Sequence, residues 1–87
     1  METSFKLGIY TPEKTIFEND VLALCAPGET GYFGVMAHHT PFISSLVPGK
    51  ISVKDKTGKS IVIHSSGKGF FEVSGNKAVL LLDSVKG

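Results

Sequence analysis

A lone cysteine, no apolar run beyond six residues and almost no net charge narrow this 87-residue sequence before any motif is read. Cys25 has no partner for an internal disulfide, and the N-terminus "METSFKLGIY" lacks the basic-then-apolar pattern of a secretory signal. A reducing, non-secreted compartment is therefore expected. The longest apolar run, Val21 to Ala26, falls far short of the ~20 residues of a membrane helix. Nine basic against eight acidic residues leave a charge of +1, which gives no electrostatic footprint for nucleic acid or an anionic membrane. Internal repeats, low-complexity tracts and linkers are also missing. The expectation is one small domain over residues 1–87, which on folding hides only roughly 60–65% of the surface of its unfolded chain.

What is present in quantity is punctuation. Ten glycines and four prolines leave little space for long helices, and short runs of strand character lie between them. "SFKLGIY" alternates, with Phe5, Leu7 and Ile9 on one face. "KISVKDKTGKSIVIHS" reads as a hairpin with Thr57-Gly58 at its tip, and "FFEVSGNKAVLLLD" as a second one turning at Gly75-Asn76. Pro48-Gly49 suits the centre of a type II turn. "TPEKTIFENDVLALCA" opens like a helix with proline at its first position, but Lys14 stands where a capping box wants Glu or Gln. Its β-branched residues and the turn pair Asn19-Asp20 favour two strands joined by a tight turn. The resulting fold class is all-β: an antiparallel β-sandwich or flattened barrel of about nine or ten short strands.

"AVLLL" (78–82) and "IVI" (61–63) are apolar on both faces, whereas a sandwich strand normally alternates. Either a partner protein covers the outer face, or sandwich corners bury these strands locally.

Catalytic and ligand-binding constellations are hard to find. Gly28, Gly31 and Gly34 match neither a dinucleotide fingerprint nor a Walker loop, and Pro41 comes too soon for the helix that both motifs need. His38 and His39 are adjacent, so on an extended chain they point to opposite sides and do not chelate one ion together. The expected arrangement has one of the pair buried and hydrogen-bonded and the other facing solvent or a partner. His64 has no Cys or carboxylate at ligand spacing, and Cys25 reads as a small core residue. No serine sits in a nucleophile elbow, and the carboxylates are scattered. The expectation is a non-enzyme with no metal and no cofactor. Lys56, near a hairpin tip, admits a lipoyl- or biotinyl-type carrier domain, but Thr57-Gly58-Lys59 after it is a plain turn. A freestanding β-sandwich binding module is the other alternative.

Three blocks in order, "TPEKTIFENDV" (11–21), "APGETGYFGVMAHHTPFISSLVPGKISV" (26–53) and "GFFEVSGNKAVLLLD" (69–83), resemble the N-terminal β-sandwich domain of the epsilon subunit of the rotary F-type ATP synthase. The resemblance spans about Phe5 to Asp83. It implies a non-catalytic rotor subunit of the central stalk, which couples the gamma subunit to the c-ring for proton-driven ATP synthesis. It also implies peripheral association with the cytoplasmic face of the energy-transducing membrane, through the complex. Carried over by position, Thr11, His39 and Ser44 would face gamma, while Glu29, Thr30, Gly31 and Tyr32 would approach the ring. Tyr32 stands where family members commonly have an acidic residue, so an aromatic ring contact is expected. Ala37-His38 replace a frequent Pro-Gly. The helical hairpin that carries the inhibitory change and, in some members, an ATP-binding motif has no counterpart in this sequence, so neither activity is expected of it.

Overall fold

The computed structural model describes residues 3–86, and among them are eight strands and no helix. They are β1 (Phe5–Tyr10), β2 (Thr15–Gly28), β3 (Gly31–Met36), β4 (Phe42–Leu46), β5 (Gly49–Asp55), β6 (Ser60–Ser65), β7 (Gly69–Ser74) and β8 (Lys77–Leu82). Hydrogen bonds join them in the order β1-β8-β7-β4-β2-β5-β6, with β3 on β2 and a further pairing of β1 with β2. The first half of β2 pairs with β1, and the second half pairs with β3 on one side and β5 on the other. One bridge, Gly28 to Leu46, completes the circuit through β4. The all-β sandwich expected from the sequence is the observed fold. Its strands number eight rather than nine or ten, and β1 and β8 run parallel, so the sheet is mixed.

The largest departure lies in β2. Residues 15–28 form one strand, with no turn at Asn19-Asp20. These two residues pair with Leu7 and Lys6 of β1, so ladder bonds to a neighbour override a local turn preference. β2 instead carries an irregularity between Val21 and Ala23, where the register with β5 slips. An extra residue in one strand bends it and increases its twist.

Both hairpins form as read. β5 and β6 meet around Thr57-Gly58, and β7 and β8 around Gly75-Asn76. Gly75 and Asn76 have φ of 59° and 60°, the pair of left-handed residues that a type I′ turn requires. At the other tip one Asp55 carboxylate oxygen accepts bonds from Thr57 N (2.9 Å), Thr57 Oγ1 (2.6 Å) and Lys59 N (2.9 Å). These bonds hold the Asp55 carboxyl below the usual carboxylate range, the Thr57 hydroxyl contributing most. Pro48-Gly49 does not form the expected type II turn. Gly49 lacks a left-handed φ and opens β5, where an added Cβ would press on Tyr32 Oη and Pro27.

Phe5, Leu7 and Ile9 point into one core with Val21, Leu24, Ile51, Phe71 and Leu80 among others. Burying each such side chain stabilises the fold by about 1.5–3 kcal/mol before entropy is counted. Cys25 is not among them. It is half-buried and alternates with the inward Leu24 and Ala26, in register with Gly34 and Ser52. The period-2 rule turns it outward, correcting its reading as a core residue.

Candidate docking surface

The four-strand stretch β4-β7-β8-β1 turns Phe71, Val73, Ala78 and Leu80 inward, so their neighbours in sequence must face out. Register then sets Ser45, Phe70, Leu81 and Tyr10 side by side across the strands. Phe70 is 61% exposed and Leu81 53%, which is high for large apolar side chains on strands. Ile43, Glu72, Val79 and Gly8 form the next row, with Ile43 71% exposed. Only one of these eight residues is charged.

Along one border of this face runs an open groove of about 770 Å³, lined by Thr11, Pro12, Glu29, Ser45, Phe70 and Leu81 among others. Gly69, also in its wall, packs so closely on β8 that a Cβ would collide with the Leu81 carbonyl oxygen. Tyr10 folds over Gly8 and donates its hydroxyl to Glu18 Oε2 at 2.7 Å. That bond to a carboxylate raises the Tyr10 pKa above its ordinary value.

The site residues implied by the resemblance fall in three places. Thr11 lines the groove and closes the β1–β2 turn, its N–H donating to the Lys14 carbonyl at 2.9 Å. His39 is half-buried against Phe42, with ring centroids 6.0 Å apart, and its Nδ1 lies 2.7 Å from the Thr40 carbonyl. Ser44 faces inward opposite Phe71, whereas its neighbour Ser45 faces the groove. Glu29 and Thr30 form the exposed two-residue tip between β2 and β3. Gly31 follows with φ of 135°, a value open to glycine alone among common residues. Thr11 and Glu29 thus share one groove, although the resemblance assigns them to different partners.

Tyr32 is 60% exposed yet bonded at its hydroxyl. It stands opposite Pro27, and its hydroxyl accepts the Lys50 N–H at 3.2 Å. Its neighbour Phe33 turns inward and packs on Phe71 and Phe42 at 5.0 and 5.4 Å. The histidine pair also differs from expectation, because the chain is not extended there. His38 is exposed with φ of 63°, its N–H bound to Asn76 Oδ1 at 2.8 Å, and neither histidine is fully buried. No group of three or more metal-ligating side chains converges among the described residues.

Sequence reasoning passes over Phe70. Its signal is the pair Phe70-Phe71, which puts an aromatic ring on each face of β7, but telling inward from outward takes the register. Of the doubly apolar strands, β8 exposes Leu81 and β6 exposes Val62, and Leu81 alone joins a continuous apolar row.

Fold and surface together define a small β-sandwich whose outward apolar row suits docking to another protein. The family described as "ATP synthase, Delta/Epsilon chain, beta-sandwich domain" matches residues 4–86, and the chain belongs to that family. An ATP synthase epsilon chain of Chlorobium limicola is 44% identical over 86 residues, covering 97% of this chain and 94% of the relative. One from Desulfosudis oleivorans is 38% identical over 99% of this chain, which spans 64% of that longer relative. A chain in the cryo-EM structure of the Euglena gracilis mitochondrial ATP synthase superposes with a TM-score of 0.90 at 20% identity, over 99% of this chain and 54% of that one. At that identity the likeness speaks for the fold.

Proposed function

We propose that this domain is a non-catalytic rotor element of the central stalk of a rotary F-type ATP synthase. It joins the gamma subunit to the c-ring and passes on the torque of proton flow, at the cytoplasmic face of the membrane. The observation that carries this reading is the Phe70–Leu81 row on the outer face of a chain of this family. In this reading gamma packs over that row and the groove beside it, with Thr11 at the rim, His39 nearer the β3–β4 end, and Ser45 in the outward place that the resemblance gives to Ser44. The Glu29-Thr30-Gly31-Tyr32 tip meets the ring, where Tyr32, bonded at its hydroxyl to Lys50 N–H, supplies aromatic contact. A standard interface buries about 800 Å² per partner.

Titration calorimetry against the purified gamma subunit from the same source tests the reading. The expected result is one-to-one submicromolar binding with a negative heat-capacity change, lost in Phe70→Asp and Leu81→Asp. A folded domain that binds no gamma contradicts it. Tyr32→Ala should weaken assembly on the ring more than it lowers the melting temperature of the domain, and equal losses would count against a ring contact there.

A further inference from the structure

The two borders of the sheet are treated differently. At β6, Ser84 to Lys86 lie along the strand end: Lys86 N–H donates to the His64 carbonyl at 2.8 Å, and Val85 bridges Ser65. At β3, no strand among the described residues pairs with the outer edge. Its sequence, Gly-Tyr-Phe-Gly-Val-Met, has no charge and no proline, the devices by which sheet edges usually avoid pairing.

Which backbone groups are open follows from Pro27. It stands opposite Tyr32, has no N–H, and gives its carbonyl to Val47 N at 3.0 Å, away from β3. Pro27–Tyr32 is therefore a non-hydrogen-bonded pair, and in an antiparallel ladder such pairs alternate. Gly34 and Met36 share that phase, so the N–H and C=O groups of Tyr32, Gly34 and Met36 point out from the edge. All three residues are exposed.

Gly34 adds an independent observation. Its φ is not left-handed, and a Cβ there would meet only the Leu24 carbonyl oxygen, at an ordinary 3.8 Å. Nothing among the described residues calls for glycine, which weakens a strand interior but suits close approach by another backbone. We propose that the β3 edge is a strand-addition site, where an extended segment of a partner protein hydrogen-bonds to the outward backbone of Tyr32, Gly34 and Met36 and crosses closest at Gly34. The edge ends three residues before His39, which the docking reading turns to gamma, so a partner seated there reaches Met36 and Gly34 from that end. A second copy of this chain is the poorer occupant, since six residues fall well short of the roughly 800 Å² per side of a stable interface. The inference rests on the gamma-docking reading and assigns the added strand to gamma.

The test compares wild type and Gly34→Pro for gamma binding, with amide exchange followed by NMR on the wild type. Proline at 34 removes an N–H that the isolated sheet does not use and is tolerated on an edge. Expected are an unchanged fold, at least tenfold weaker gamma binding, and slowed exchange at Tyr32, Gly34 and Met36 only in the complex. Wild type that binds gamma while these amides stay unprotected overturns the strand addition alone. If Gly34→Pro folds and binds as wild type does, the same conclusion follows. Should Gly34→Pro fail to fold, the amide pattern decides. Protection without gamma, with sedimentation showing a dimer, assigns the edge to self-pairing and overturns the proposal. Wild type that binds no gamma removes the docking reading and the strand addition with it.

Discussion

Asn76 fastens its own turn to two distant segments, and its replacement tests how much that fastening contributes. Its Oδ1 accepts the His38 N–H at 2.8 Å, its Nδ2 donates to the Ser4 carbonyl at 3.0 Å, and its own carbonyl accepts Lys6 N–H at 3.2 Å. Its φ of 60° is left-handed, a conformation that costs alanine about 1–2 kcal/mol but that asparagine and glycine adopt readily. The two side-chain bonds are partly exposed and contribute about 0.5–1 kcal/mol each. Asn76→Ala should therefore lose about 2–4 kcal/mol, and Asn76→Gly, which keeps the backbone conformation, only about 1–2 kcal/mol. A domain of this length has roughly 4–13 kcal/mol in total, so the alanine variant should melt roughly 10–20 °C lower. Urea unfolding with an unchanged slope gives both values. Equal losses in the two variants would refute the backbone contribution. Losses below about 0.5 kcal/mol in both would refute the fastening role altogether.

Four further outcomes are expected. Gly34→Ala should stabilise the isolated domain by about 0.4–1 kcal/mol, because its site has room and an ordinary φ; a lower melting temperature would show that the chain itself needs this glycine. Gly69→Ala should destabilise by about 1–3 kcal/mol through collision with the β8 backbone, and a neutral result would mean that β7 and β8 separate easily. Because the folded pKa of Asp55 is depressed, its contribution is present above the unfolded value of about 4 and lost as pH falls through the folded one. Wild type should thus melt above Asp55→Asn at pH 7, with the gap closing in acid; a gap independent of pH would refute this. Tyr10 has a raised folded pKa, so its contribution is present below about pH 10 and lost as pH rises through the folded value. The melting difference from Tyr10→Phe should vanish in strong alkali, and a persisting difference would point to packing alone.

Local signals sufficed where neighbours in space are neighbours in sequence. The alternation of β1 and the Gly75-Asn76 turn belong to this group, since each needs only a few residues to specify it. Three features escape such reading for one shared reason. Asn19-Asp20 stays extended because β1 supplies its ladder, β1 lies parallel to a strand some seventy residues away, and the role of Gly49 is set by the Tyr32 ring. Each depends on a partner that periodicity cannot identify. The surface behaves likewise: doubly apolar β8 is visible in the sequence, but the row it forms with Phe70 exists only once register is fixed. A shift of one residue would turn Ser44 outward and Ser45 inward, which is why position alone places a contact no better than to within a neighbour.

The architecture also suits a part that must transmit torque without slip. No connection between strands exceeds five residues, and several have only two, so few places can absorb a rotation as a hinge does. β2 pairs with β1 in its first half and with β3 and β5 in its second, so its backbone hydrogen bonds would carry any applied load from one side of the sandwich to the other. Phe70 and Leu81 sit on strands, and Tyr32 is held at its hydroxyl, so a partner would grip rigid elements rather than loops. A binding module that adapts to its ligand would place these residues on mobile connections. If the rotor reading holds, the amides of β2 and β8 should be the last to exchange in the isolated domain, at rates set by global unfolding. Early exchange in β2 would mean that the shared strand opens locally, and a coupling element that opens along its own load path would transmit little torque.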